Sequence, residues 1–177
     1  MNDKDFSVLV SKAKKGDRDA FGEIYAGLSD EAYRFGLYYL KDVHDAADAV
    51  QNTALKAYKN IKLLRNTEKF RSWFFTIEAN ECRKILRERK KTVPGGEITE
   101  NIPDNSFENM YLSVQLNEAM NTLSEEDRMI VRLCVVDGFK SNEIAGILGI
   151  KPSSVRSRLS RALHTLRSLL ETEGEKK

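Results

Sequence analysis

Apolar residues recur along the chain at three- and four-residue steps, the spacing that places side chains on one face of an α-helix. Asp42 is expected to cap a long helix whose buried stripe consists of Ala46, Val50, Ala54, Ala57 and Ile61. A second helix is predicted to begin near Glu68, with inward-facing Phe70, Trp73, Phe74 and Ile77. Two helices are expected before these, the first ended by Gly16 and the second capped by Asp17. The pattern predicts an all-α protein.

The last third of the chain has the same helical spacing. A helix is predicted to start near Tyr111, and Ser124 is expected to cap the next one. The core residues expected from that helix are Ile130, Val131, Leu133 and Val135. Gly138 is expected to end it, because glycine adopts left-handed conformations without a steric penalty.

The residue pattern over 141–167 predicts two helices joined by a tight turn. Small Ala145 allows the helices to cross closely, and Gly149, four residues later, permits the turn. Pro152 suits a helix start, and Val155, six residues after Gly149, fills the gap between the helices. This spacing is typical of a helix-turn-helix, whose second helix enters the DNA major groove.

Helical rotation from Val155 places polar and basic residues on the face opposite the core: Ser157, Ser160, Arg161 and His164, with Arg156 on the flank. Residues 151–167 carry five basic side chains and no acid. A solvated amphipathic helix at the end of a bundle would show the same arrangement. We favour DNA binding because the turn spacing and the single sign of charge coincide.

Charge is segregated along the chain. The 177 residues include 29 Lys and Arg against 27 Asp and Glu, so the net charge is only +2. Residues 94–110 combine a Pro-Gly-Gly sequence with four acids and no basic residue. This composition predicts a flexible acidic linker between two small helical domains, residues 1–93 and 111–177.

Several classes of function are disfavoured. Cys82 and Cys134 are isolated, which favours buried free thiols in a reducing cytoplasm. His44 lies near two acids at a helix start, where acids favour the helix dipole, so we reject a metal site there. We expect no cofactor and no membrane insertion, because no apolar run approaches the ~20 residues of a membrane span. We find no converging acids or nucleophile pair of the kind that an enzyme needs.

Two surfaces of the first domain are candidates for binding. The long helix after Asp42 carries a second stripe of Asp48, Gln51, Asn52, Leu55 and Lys59. Leu55 among these polar residues fits a protein-docking point, although a single exposed leucine is also ordinary. Residues 81–91 carry six basic residues and two acids, and follow the aromatic residues Trp73 and Phe75. A basic helix with exposed aromatics can hold phosphates and stack unpaired bases. For Trp73 we favour a core position, and for the basic residues a nucleic-acid surface.

These residues resemble the extracytoplasmic-function (ECF) class of sigma-70 family RNA polymerase sigma factors. In the first domain the resemblance rests on DAFGEIYAGLSDEAYRFGLYYL, DAADAVQNTALKAYKN and FRSWFFTIEANECRKILRERKK. In the second it rests on LNEAMNTLSEEDRMIVRLCVVDGFKSNEIAGILGIKPSSVRSRLSRALHTLRSLL. It implies a transcription initiation factor that binds core RNA polymerase and directs it to specific promoters.

The resemblance also implies roles for particular residues. Docking on the clamp of the polymerase β′ subunit is expected from Asp48, Gln51, Asn52 and Leu55. Recognition of the promoter −10 element, partly as single strand, is expected from Trp73, Asn80, Arg83, Lys84, Arg87, Lys90 and Lys91. Readout of the −35 element is expected from Ser154, Arg156, Ser157, Ser160 and Arg161. An anti-sigma factor is an expected partner, and a stress response an expected setting.

Three positions depart from the class. Asn52 stands where an acid is common, Glu78 where a small apolar residue is usual, and Ser141 where an aromatic is common. The first would weaken a charge contact to polymerase, and the second would put a carboxylate two residues from Asn80. Two alternative functions are a free-standing helix-turn-helix regulator with an N-terminal ligand- or partner-binding domain, and an all-α nucleic-acid enzyme.

Overall fold

The computed structural model describes residues 3–92 and 114–174, and within them every regular element is a helix. The chain divides into two compact units, Met1–Ile102 and Pro103–Lys177. Their boundary falls inside the predicted linker, 94–110, which itself lies outside the described residues. The all-α prediction is confirmed. No helix in the described ranges has the length and apolar character needed to cross a membrane.

Four long helices build the first unit: α1 (Asp3–Lys14), α2 (Arg18–Leu40), α3 (Val43–Asn60) and α4 (Phe70–Thr92). Short 3₁₀ turns over Ile61–Leu63 and Thr67–Lys69 connect α3 to α4.

Side-chain caps start two of these helices where the sequence predicts them. Asp17 Oδ1 accepts a hydrogen bond from the Ala20 amide at 3.0 Å, and Asp42 accepts from the amides of His44 and Asp45 at 2.9 Å each. Such caps satisfy amide groups that have no partner within the helix.

The core of the first unit lies where α2, α3 and α4 meet. Ala46, Ala49 and Ala57 are completely buried, so the neighbouring helices approach α3 closely. Phe75, which we considered with Trp73 as an aromatic residue able to stack bases, belongs to the core: it is 1% exposed, and its ring packs edge-to-face on Phe35 with centroids 5.7 Å apart. The reason is that α4 buries a broad face, which includes Phe70, Phe74 and Phe75 together.

The second unit contains α5 (Val114–Asn121), α6 (Glu125–Val131), α7 (Ser141–Leu148) and α8 (Pro152–Gly174). Ser124 caps α6 as predicted, its Oγ accepting from the Asp127 amide at 3.2 Å. Part of the core consists of Ala119, Leu123, Val131, Ala162 and Leu166.

A π-helical turn, Arg132–Val136, follows α6 and changes which residues are buried. Val135 was predicted to be core, but it is 62% exposed, and Val136 is 67% exposed. The wider turn has more residues than an α-turn, so it rotates the following side chains away from the face that a 3.6-residue period predicts. Phe139, only 3% exposed, joins the core instead. Cys134, in the same turn, is half-buried rather than buried, whereas Cys82 is buried as predicted.

Candidate polymerase and nucleic-acid interfaces

One face of α3 is free of the core. Asp48, Gln51, Asn52 and Leu55 are all exposed, and Leu55 is 58% exposed. The opposite face holds the buried alanines that pack against α2 and α4. The four residues therefore contribute little to the packing of their own unit, and they form a polar surface with one large apolar side chain. We call it the α3 stripe.

A groove runs between α3 and α4. Its main part has a volume of about 540 Å³ and is lined by Lys56, Asn80, Glu81, Arg83, Lys84, Leu86 and Arg87. A second depression of about 330 Å³ adjoins it, lined by Lys56, Asn60, Leu63, Trp73, Ile77, Asn80 and Glu81. Three residues, Lys56, Asn80 and Glu81, line both. The groove thus brings Trp73 and Asn80 to the same surface as the basic residues.

Polar contacts fix the side chains in the middle of this groove. Glu81, only 5% exposed, accepts a hydrogen bond from Lys56 Nζ at 2.5 Å, which joins α3 to α4. Arg83 Nη1 donates to Asn80 Oδ1 at 2.5 Å. Trp73 is half-buried, with its ring centroid 5.6 Å from that of Phe70. Trp73 therefore packs on the core and also lines the groove.

The basic residues of α4 divide into two groups. Lys84, Arg87, Lys90 and Lys91 are exposed, and Arg83 is half-buried. Arg89 turns inward: its guanidinium donates to the Leu40 carbonyl at 3.0 Å and forms ion pairs with Asp42 and Asp45. Neighbouring residues in the sequence do not distinguish Arg89 from the exposed basic residues, because its acidic partners lie more than forty positions away.

Glu78 does not face the groove. It is completely buried, whereas Asn80 is exposed. The Glu78 carboxylate, two residues from Asn80 in the sequence, therefore lies away from the surface that Asn80 faces, because residues two positions apart on a helix point in different directions. Burial raises the pKa of Glu78 to about 7; the neighbouring Thr53 hydroxyl opposes the shift and the Glu81 carboxylate adds to it.

The second unit has the predicted helix-turn-helix geometry in α7 and α8. Gly149 ends α7 in the left-handed region with φ 71°, and α8 begins at Pro152. Ala145 is 5% exposed and Val155 is completely buried, in agreement with their predicted places at the helix crossing.

The outer face of α8 carries the side chains expected there. Arg156, Ser157, Ser160 and Arg161 are exposed, and Ser154 is half-buried. Arg161 Nε makes a long hydrogen bond of 3.4 Å to the Ser157 carbonyl within the helix. Among the described residues this long contact leaves most of the Arg161 guanidinium's donor capacity for an external partner.

Arg158, by contrast, attaches α8 to α6. Its Nε donates to Asp127 Oδ1 at 2.6 Å and its Nη1 pairs with Glu126 at 2.5 Å. Burial opposes ionisation of Asp127, but hydrogen bonds from Arg158 and Ser124 outweigh it and hold the pKa of Asp127 below its usual value. Of the five basic residues in 151–167, Arg158 is thus paired with acids of its own unit.

Two family models match the two units. The model described as Sigma-70 region 2 matches residues 24–92, and the one described as Sigma-70, region 4 matches residues 113–166. RNA polymerase sigma factor SigV of Bacillus subtilis is 33% identical over 141 residues, which cover 80% of this chain and 85% of SigV. The chain belongs to the ECF RNA polymerase sigma factors. As an ECF sigma factor it is a transcription initiation factor, a class that is not catalytic.

Other ECF sigma factors show the same relation over most of the chain. ECF RNA polymerase sigma factor SigW of Bacillus subtilis is 27% identical over 176 residues, covering 91% of this chain and 94% of SigW. Among solved structures, the sigma factor RpoE of Bartonella quintana, in complex with the anti-sigma factor NepR, is 26% identical. The match has a TM-score of 0.69 and covers 85% of this chain and 96% of that one.

Proposed function

We propose that this sigma factor docks on the clamp of core RNA polymerase through the α3 stripe. The first domain, residues 1–93, would then recognise and help to melt the promoter −10 element. The second, residues 111–177, would read the −35 element, with the acidic segment 94–110 as a flexible connection. In this role the chain catalyses no reaction itself and works in the cytoplasm, where polymerase is found.

The exposure of Leu55 carries the docking proposal. A leucine that is 58% exposed among Asp48, Gln51 and Asn52 contributes little to its own fold. A large apolar side chain surrounded by polar ones matches the arrangement at protein interfaces, where a central anchor is ringed by polar contacts that exclude water.

Two basic surfaces support the nucleic-acid roles. The groove beside α4 combines Asn80 and Trp73 with exposed Lys84 and Arg87, so it offers phosphate contacts together with amide and aromatic groups for unpaired bases. The outer face of α8 presents small serines around Arg161, which suits a helix that lies deep in the major groove.

We further propose that an anti-sigma factor binds this chain. The support is the relation to Bartonella quintana RpoE, which was solved with the anti-sigma factor NepR.

A run-off transcription assay with purified core polymerase tests the proposal, and Leu55→Arg is its critical variant. We expect the wild-type protein to direct specific initiation only together with polymerase. Leu55→Arg places a charge at the centre of the contact, so its affinity for polymerase should fall by upwards of ~2 kcal/mol, about thirtyfold. Val8→Arg is the matched control, because Val8 lies on α1 and is 55% exposed.

Two results would contradict the proposal. If a folded Leu55→Arg protein co-purifies with polymerase as well as wild type does, the α3 stripe is not the docking site. If the chain binds promoter DNA alone and represses transcription, it acts as a free-standing helix-turn-helix regulator.

A further inference from the structure

The last turns of α4 carry the exposed basic residues but little of the core. Cys82 is the last buried residue of α4 before Thr92, and every side chain over 83–91 is exposed or half-buried. A helical segment without a buried face has little tertiary packing to hold it, and short helices are marginal in water. Contacts other than full burial in the core therefore help to orient this part of the proposed nucleic-acid surface.

Arg89 supplies such an attachment to two other helices. Its Nη1 donates to the carbonyl of Leu40, the last residue of α2, at 3.0 Å. Its Nη2 pairs with Asp45 Oδ2, and lies 3.7 Å from Asp42 Oδ2. Carbonyl groups at the end of a helix have no partner within it, so this donor also satisfies α2. One guanidinium thus joins the end of α2, the start of α3 and the end of α4.

One acidic partner of Arg89 is itself held in place. Asp42 caps α3 by accepting from the amides of His44 and Asp45. Hydrogen bonding from the Asp45 amide is the main cause that lowers the pKa of Asp42; burial opposes this shift, while the His44 amide and Arg89 add to it. Asp42 is therefore a fixed anion, and the planar guanidinium of Arg89, with donors in a rigid fork, suits several acceptors at once.

We propose that Arg89, held by Asp42 and Asp45, is a positioning residue for the nucleic-acid surface of α4 and does not contact DNA. It fixes the last turns of α4 so that Arg87, Lys90 and Lys91 face outward together. Without it, those turns must be ordered when DNA binds, and this ordering lowers the affinity. The inference rests on the proposed role of α4 in promoter binding.

The critical variant is Asp45→Asn. Removal of a negative charge near a nucleic-acid surface ordinarily strengthens DNA binding, because an acid repels phosphates. Here Asp45→Asn should instead weaken promoter binding by the holoenzyme about two- to fivefold, which is the effect expected from the loss of a partly exposed ion pair. Glu88→Gln is the matched control: it removes an exposed acid from α4 itself and should leave binding unchanged or stronger. Binding is measured by titrating promoter DNA with reconstituted holoenzyme.

A double-mutant cycle separates positioning from direct contact. If Arg89 acts through Asp45, Arg89→Ala should cost less affinity in the Asp45→Asn background than in wild type. Amide hydrogen exchange over residues 85–92 should become faster in Asp45→Asn and in Arg89→Ala, but not in Arg87→Ala. If Asp45→Asn tightens promoter binding, or if Arg89→Ala costs the same in both backgrounds, Arg89 contacts DNA directly and the inference is wrong.

Arg87→Ala shows whether the proposed function has failed instead. We expect it to weaken promoter binding and to flatten its salt dependence. If it does neither, α4 is not a nucleic-acid surface. Faster exchange over 85–92 in Asp45→Asn would still support the attachment by Arg89, and unchanged exchange would overturn it.

Discussion

At the scale of single residues, the buried carboxyl group of Glu78 is the most unusual feature of the first unit. It lies among Gly36 of α2, Thr53 of α3 and Cys82 of α4, and its Oε2 finds no hydrogen-bond partner among the described residues. Transfer of an ionised carboxylate to such surroundings is costly, so the neutral form is favoured.

We expect this burial to make the first unit less stable as the pH rises. The pKa of Glu78 is raised from 4.5 to about 7. Between these values the unfolded chain releases the proton while the folded protein retains it, so the free energy of unfolding falls as the pH increases. The fall begins near the unfolded pKa, levels off above about pH 7, and amounts to about 3 kcal/mol at most.

Chemical unfolding of wild type and Glu78→Gln, measured from about pH 5 to about pH 8, tests this expectation. Gln cannot ionise, so the free energy of unfolding of the variant, relative to that of wild type, should increase as the pH rises. Other titrating groups are common to both proteins and cancel in the difference. Parallel pH profiles would show that Glu78 does not hold its proton in the folded state.

At the scale of elements, two glycines of α2 should respond differently to substitution. A Cβ at Gly22 would meet no atom within 4 Å. Because alanine has a higher helix propensity than glycine, Gly22→Ala should stabilise the protein by about 0.5–1 kcal/mol. A Cβ at Gly36 would lie 3.3 Å from Glu78 Oε1 and 3.4 Å from Ala46 Cα, where α2 and α3 pack closely.

Gly36→Ala should therefore be less stable than Gly22→Ala by about 1 kcal/mol or more, because extra atoms in a tight contact force a shift of the backbone. Urea unfolding of the two variants measures the difference. Equal gains would show that the approach of α2 to α3 relaxes without cost.

Local signals were enough to predict three capped helix starts and the helix-turn-helix. Asp17, Asp42 and Ser124 are capping residues, and Gly149 ends a helix, for reasons contained within a few neighbouring positions. The π-turn at Arg132–Val136 is different, because a 3.6-residue period of apolar positions does not predict a turn that contains an extra residue. The sequence therefore predicts a buried Val135, and the structure exposes it.

The candidate surfaces were predictable only where exposure follows from helical phase. The α3 stripe and the outer face of α8 lie where rotation about each helix places them. Arg89 and Arg158 could not be separated from the other basic residues, because their acidic partners are distant in sequence and meet them only in the folded unit.

At the scale of the whole molecule, a net charge of +2 conceals two basic surfaces that belong to different units. If the proposed function is correct, substitutions in the two surfaces should affect promoter binding in different ways. Replacing Arg87, Lys90 and Lys91 together with Ala removes phosphate contacts, and each lost contact should flatten the salt dependence of promoter binding by about one unit. Arg161→Ala should cost about 1–3 kcal/mol on the native promoter, because arginine binds O6 and N7 of guanine together.

Promoters with single substitutions in the −35 element distinguish the two effects. The loss from Arg161→Ala should shrink at one substituted position, where the base contact is already gone, while the triple variant should lose the same factor on every promoter. If no substitution masks the Arg161→Ala effect, Arg161 contacts only the DNA backbone. If the salt slope of the triple variant is unchanged, the end of α4 is only a solvated surface.

The different burial of the two thiols makes the chain suitable for site-selective labelling. Alkylating reagents attack an accessible thiolate. Cys82 is completely buried and its pKa is raised, chiefly by burial, so it should resist maleimide dyes while the protein stays folded. Cys134 is partly exposed in the π-turn of the second unit. A fluorophore would therefore attach to the helix-turn-helix unit alone, in the natural sequence, and follow that unit onto DNA.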